Sequence, residues 1–118
     1  MAVTDRDPVR GLYQTMKACI TFGLEHPEYY RLLFMIRPTL SGSDEASRQI
    51  GEEAFNLLRH QVGLCIQAGR FLETDQELVA RGGWAVIHGL TSMLLNQPEL
   101  ERRELLEHVL ACLSLIHI

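Results

Sequence analysis

At 118 residues, 47% apolar and 22% charged, the chain has the balance of one globular domain with a single core, which excludes a disordered or fibrous class. Its net charge of −4 excludes the broad basic surface that neutralises phosphates, so it is not expected to hold nucleic acid itself. No stretch reads as apolar for long enough to span a bilayer, and Met1 to Asp7 carries no hydrophobic signal core, so no membrane association is expected.

The first element begins at Asp7-Pro8, a candidate N-cap followed by proline at the first helical position. Leu12, Met16, Cys19 and Ile20 continue it at helical spacing to about Glu25-His26. Pro27 interrupts and starts a short aromatic helix through Tyr29, Tyr30, Phe34 and Met35, which Pro38 closes. Thr39 to Ser43 is the clearest loop, and Ser43-Asp44-Glu45 places a cap and two acids where the next helix dipole favours them. That helix carries Ala46, Ile50, Ala54, Leu57, Leu58, Val62, Cys65 and Ile66, and Ala68-Gly69 stops it.

Thr74 and Glu77 spell a capping box, which predicts Thr74 as the cap of a central helix running to about Asn96. This helix holds the one tryptophan and three glycines, each costing about 1 kcal/mol relative to alanine. The glycines are therefore expected at close helix crossings, in the core or at a subunit interface. Val79, Gly83, Val86, Ile87, Leu90 and Leu94 form one apolar stripe, and Trp84, His88, Thr91 and Leu95 line a neighbouring face. Two such faces predict two packing surfaces, the body of the domain and a partner chain. Pro98 opens a last helix with Leu105, Leu106, Val109 and Leu110 on its stripe. No segment alternates as a strand, so the fold class is all-α with five helices.

Cys19, Cys65 and Cys112 are widely spaced and read as reduced, mostly buried thiols of a cytoplasmic protein. Histidines 26, 60, 88, 108 and 117 are scattered, and Glu104 with His108 is a lone i,i+4 pair, so no metal site is expected. Phosphate-cradling glycine loops and nucleophile elbows are absent, so no cofactor and no catalysis are expected. What recurs is aromatic and sulfur-bearing side chains on several helices. They pack a core, and a bundle lined in this way also accommodates a small apolar ligand, with Tyr30, His88 and Thr91 as polar handles.

Two stretches, Phe22 to Phe34 and Gly83 to Leu90, resemble together the hallmarks of the C-terminal domain of the tetracycline-repressor family, in the subclass with a Trp-His-Gly pattern, here Trp84, His88 and Gly89. The resemblance covers roughly residues 7–112. It implies a cytoplasmic one-component regulator whose C-terminal domain binds a small hydrophobic effector and forms a homodimer through its last two long helices. Phe22, Tyr30, Phe34, Trp84, His88 and Thr91 are then the candidate effector-binding residues. Gly83, Val86, Ile87, Leu90 and Leu94, with Leu105, Leu106 and Val109, are the candidates for a dimeric four-helix bundle. Effector binding in such proteins usually releases operator DNA by changing the spacing of two N-terminal helix-turn-helix heads.

The residues before Asp7 cannot form such a head, so the chain is expected to lack it and not to bind operator DNA. Leu113 to Ile118 resembles the translation of a sequencing-library adaptor, which predicts a non-native tail at 113–118 after a domain at 1–112. A different reading is a stand-alone helical module that binds a small molecule or a protein and has no DNA-binding head.

Overall fold

The structure, a computed structural model, describes residues 7–31 and 45–97 together with 103, 104 and 107; for 45–47 it describes the backbone alone. Four helices follow in order: α1 (Pro8–Glu25), α2 (Pro27–Tyr30), α3 (Glu45–Gln67) and α4 (Gln76–Asn96). Arg103, Glu104 and Glu107 are also helical. No strand occurs among the described residues, and the all-α expectation holds. Phe34, Met35, the loop at 39–43, Leu105, Leu106, Val109 and the 113–118 tail lie outside the described residues.

Local chemistry accounts for most of the boundaries. The Asp7 carboxylate accepts from the Val9 backbone N–H at 3.0 Å, with Pro8 at the first helical position, so α1 starts where the Asp-Pro pair predicts. At the end of α3, Gly69 adopts a positive φ of 68°, and the amides of Gly69 and Arg70 donate to the carbonyls of Ile66 and Cys65 at 3.0 Å each. This double bond pattern is a Schellman stop, and it needs a left-handed residue that glycine adopts without a Cβ clash.

The start of α4 departs from the capping-box expectation. Asp75 is the cap, accepting from Leu78 N–H at 3.1 Å, and Thr74 lies outside the helix. Glu77 does not reach back to the cap. Its carboxylate meets the Arg59 guanidinium of α3 at 2.7 Å, a charge-assisted contact that outcompetes a bond to a neutral amide. The neighbouring Glu73 side chain accepts from Thr74 and Asp75 N–H instead.

The core is a three-helix contact. α1 contributes Val9, Leu12, Met16 and Ile20, α3 contributes Leu58, Val62 and Cys65, and α4 contributes Ala80, Ile87, Leu90 and Leu94; Phe71 closes one end. Each set follows helical spacing, so one face of each helix turns inward. Full burial of a Leu, Ile or Met side chain stabilises by about 1.5–3 kcal/mol. The buried hydroxyls of Thr15 and Thr91 donate to the carbonyls of Gly11 and Ile87, four residues back, so neither is left unsatisfied.

The apolar stripe of α4 faces α1 and α3. Ile87, Leu90 and Leu94, candidates for the partner interface, are 2%, 4% and 0% exposed in the chain's own core. Gly83 and Val86 also turn toward the body of the domain, and a Cβ on Gly83 would stand 3.7 Å from both Leu58 and Met16. By length and composition alone α4 is apolar enough to cross a membrane, contrary to the sequence expectation. Its Ile87, Leu90 and Leu94 side chains are nevertheless buried in the core shared with α1 and α3.

Candidate functional site

Two features form around α4, one on each side of its inward face. The first is an aromatic–polar cluster. The Tyr30 hydroxyl lies 2.8 Å from His88 Nδ1, the Trp84 and His88 rings meet edge-on at 4.5 Å, and Phe55 of α3 meets Trp84 edge-on at 5.4 Å. Burial pushes Tyr30 up to about 12 and lowers His88, so the pair faces neutral pH as phenol and uncharged imidazole. Gly23 lets α1 close onto this cluster. A Cβ there would stand 2.7 Å from the Thr91 methyl and 3.1 Å from the Tyr30 ring.

The structure thus brings together four of the six candidate effector residues: Tyr30, Trp84, His88 and Thr91. Phe22 is not among them. It is 37% exposed and stacks outward on His26 and Tyr29 at 5.0 and 5.9 Å. Tyr30 meets His88 and His88 meets Trp84, which latches α2 to α4, and Thr91 and the Tyr30 ring both border the space beside Gly23.

The second feature is a cavity of about 230 Å³ between α1, α3 and α4. Leu12, Tyr13 and Met16 line it from α1, and Leu58 and Val62 from α3. Phe71 and the Val79, Gly82, Gly83 and Val86 segment of α4 complete the wall. No lining side chain carries a charge, and Tyr13 is kept a neutral phenol because burial raises its pKa. Sequence reasoning did not single out this set. Its signal was the Gly82-Gly83 pair, read as a close crossing. No atom comes within 4 Å of a Cβ on Gly82, and one on Gly83 makes only ordinary contact. Within the domain these two glycines leave space rather than admit α1 or α3.

Below the cavity, Arg70 meets the Asp7 carboxylate at 3.3 Å, and the Cys65 thiol donates to the Pro8 carbonyl at 3.2 Å. The Val9 amide, with help from Arg70, holds Asp7 below the ordinary carboxylate range, while burial pushes Cys65 up to about 11. The start of α1 is therefore tied to the turn carrying Phe71. Among the described residues no group of three His, Cys, Asp or Glu side chains is placed to hold a metal ion.

Residues 12–113 match the family described as Tetracyclin repressor-like, C-terminal domain. The chain belongs to that family. No curated protein and no solved structure matches it. TetR-like C-terminal domains are regulatory rather than enzymatic, and they generally dimerise and bind small-molecule effectors. In this TetR-like domain the cavity and the Tyr30–His88 latch flank the same helix, so a change in either bears directly on α4.

Proposed function

We propose that this TetR-like domain is the sensor and dimerisation half of a cytoplasmic transcriptional regulator of the Trp-His-Gly subclass. The regulator acts as a repressor released from operator DNA by a small hydrophobic effector. The observation that carries this reading is the apolar cavity walled by α1, α3 and α4, which abuts the start of α1 through Phe71 and Arg70. DNA binding belongs to an N-terminal helix-turn-helix head, and this domain performs no catalysis.

The homodimer forms on the outward face of α4. Leu78, Gly82, Ala85, Gly89 and Met93 follow one another at helical spacing and are all exposed, Leu78 at 59% and Met93 at 40%. The two glycines and the alanine let a partner helix approach closely, and the two larger side chains supply apolar area. The helix expected over 98–112, with Leu105, Leu106 and Val109, completes a four-helix bundle with the symmetry mate.

The test uses the regulator encoded with its upstream segment. A DNA-binding head in frame before Met1, and an operator complex dissociated by a lipophilic compound that also raises the melting temperature of this domain, support the reading. A stop codon and ribosome-binding site directly upstream overturn it.

A further inference from the structure

Resting on the sensor reading above, we propose that the cavity between α1, α3 and α4 takes an uncharged molecule of about one substituted ring. Two observations carry this. The first is size. A cavity of about 150 Å³ lined by aliphatic and aromatic side chains accommodates benzene, and drug-sized ligands occupy about 300–1,000 Å³. At about 230 Å³ this cavity falls between them. It has room for a substituted benzene or a fused pair of small rings, and none for a steroid-sized ligand.

The second observation is charge. Leu12, Met16, Leu58 and Phe71 present only carbon and sulfur, and Tyr13 is the one lining residue with a polar side-chain group. A carboxylate or ammonium entering here would lose its hydration with no opposite charge to meet it. The ligand is therefore neutral, with at most one or two polar atoms.

Gly83 belongs to the cavity wall, and a Cβ there would make only ordinary contact with Leu58 and Met16, so a longer side chain at this position would occupy the cavity itself.

The experiment is a titration of the folded chain with indole, benzoate and progesterone, read by calorimetry and by the methyl resonances of 13C-labelled methionine. Indole is expected to bind and to shift the Met16 methyl signal while leaving that of Met93, on the outward face of α4, in place. Benzoate and progesterone are expected to bind at least ~10-fold more weakly, because one is charged and the other too large. Gly83→Leu should retain helical circular dichroism and lose indole binding. Gly83→Ala, whose methyl is accommodated, should weaken it in part. Equal or tighter binding of benzoate or progesterone, binding that leaves Met16 unmoved, or no binding by any of the three overturns the inference. If indole binds as expected but leaves the operator complex of the intact regulator unchanged, the ligand class stands and the repressor-release reading falls.

Discussion

The Tyr30 hydroxyl sits 2.8 Å from His88 Nδ1 and 3.4 Å from the His88 carbonyl oxygen, linking two residues 58 positions apart. This contact joins the short helix α2 to the middle of α4. With the phenol donating to Nδ1, the neutral imidazole carries its proton on Nε2. Removing the hydroxyl in Tyr30→Phe withdraws that donor from a largely buried ring. The expected cost is about 1–2 kcal/mol in urea unfolding, with helical content unchanged in native buffer. A loss within experimental error would show that the latch is not structural.

His88 also makes stability depend on pH. Burial depresses its folded-state pKa below the ordinary 6.5, so the unfolded chain binds more protons in the interval between the two values. Stability is therefore full above the unfolded value and falls as pH drops through the folded one. Melting temperature should decline between about pH 7.5 and about pH 5, and His88→Gln should flatten that part of the profile. An unaltered slope in the variant would assign the dependence to other groups.

The glycines make opposite predictions. Gly23→Ala pushes a methyl to 2.7 Å from Thr91, which has no room to yield because it is fully buried and bonded to Ile87. It should destabilise by about 1–3 kcal/mol despite alanine's helix preference. Gly89→Ala enters open space, and in dilute solution should stabilise by about 0.5–1 kcal/mol. If Gly23→Ala left stability unchanged or raised it, the close approach at Gly23 would be disproved.

Arginine substitutions separate core from interface. Ala85→Arg lies on the exposed face of α4 and should give a folded monomer by light scattering. Leu90→Arg places a charge among core side chains, and should abolish cooperative unfolding altogether, since an unpaired buried charge costs several kcal/mol. A dimer that persists in Ala85→Arg would locate the partner contact elsewhere.

Local chemistry made the helices legible in the sequence. Asp7-Pro8, Ala68-Gly69 and the 3.6-residue recurrence of apolar positions set where each helix starts, stops and turns inward, because capping and burial act on neighbours along the chain. The capping box at Thr74 misled by one residue because Glu77 had a stronger partner on another helix, Arg59, which no local pattern reveals. Tertiary structure alone decided which face of α4 turns into the domain. Hydrophobic periodicity shows that Ile87, Leu90 and Leu94 share a face, but the same stripe would serve a core or a partner. On the outward face Leu78 and Met93 are separated by Gly82, Ala85 and Gly89, so no continuous apolar stripe marks it. The cavity was hidden for a related reason: an empty volume depends on how far apart three helices come to rest, and the sequence names only the side chains around it.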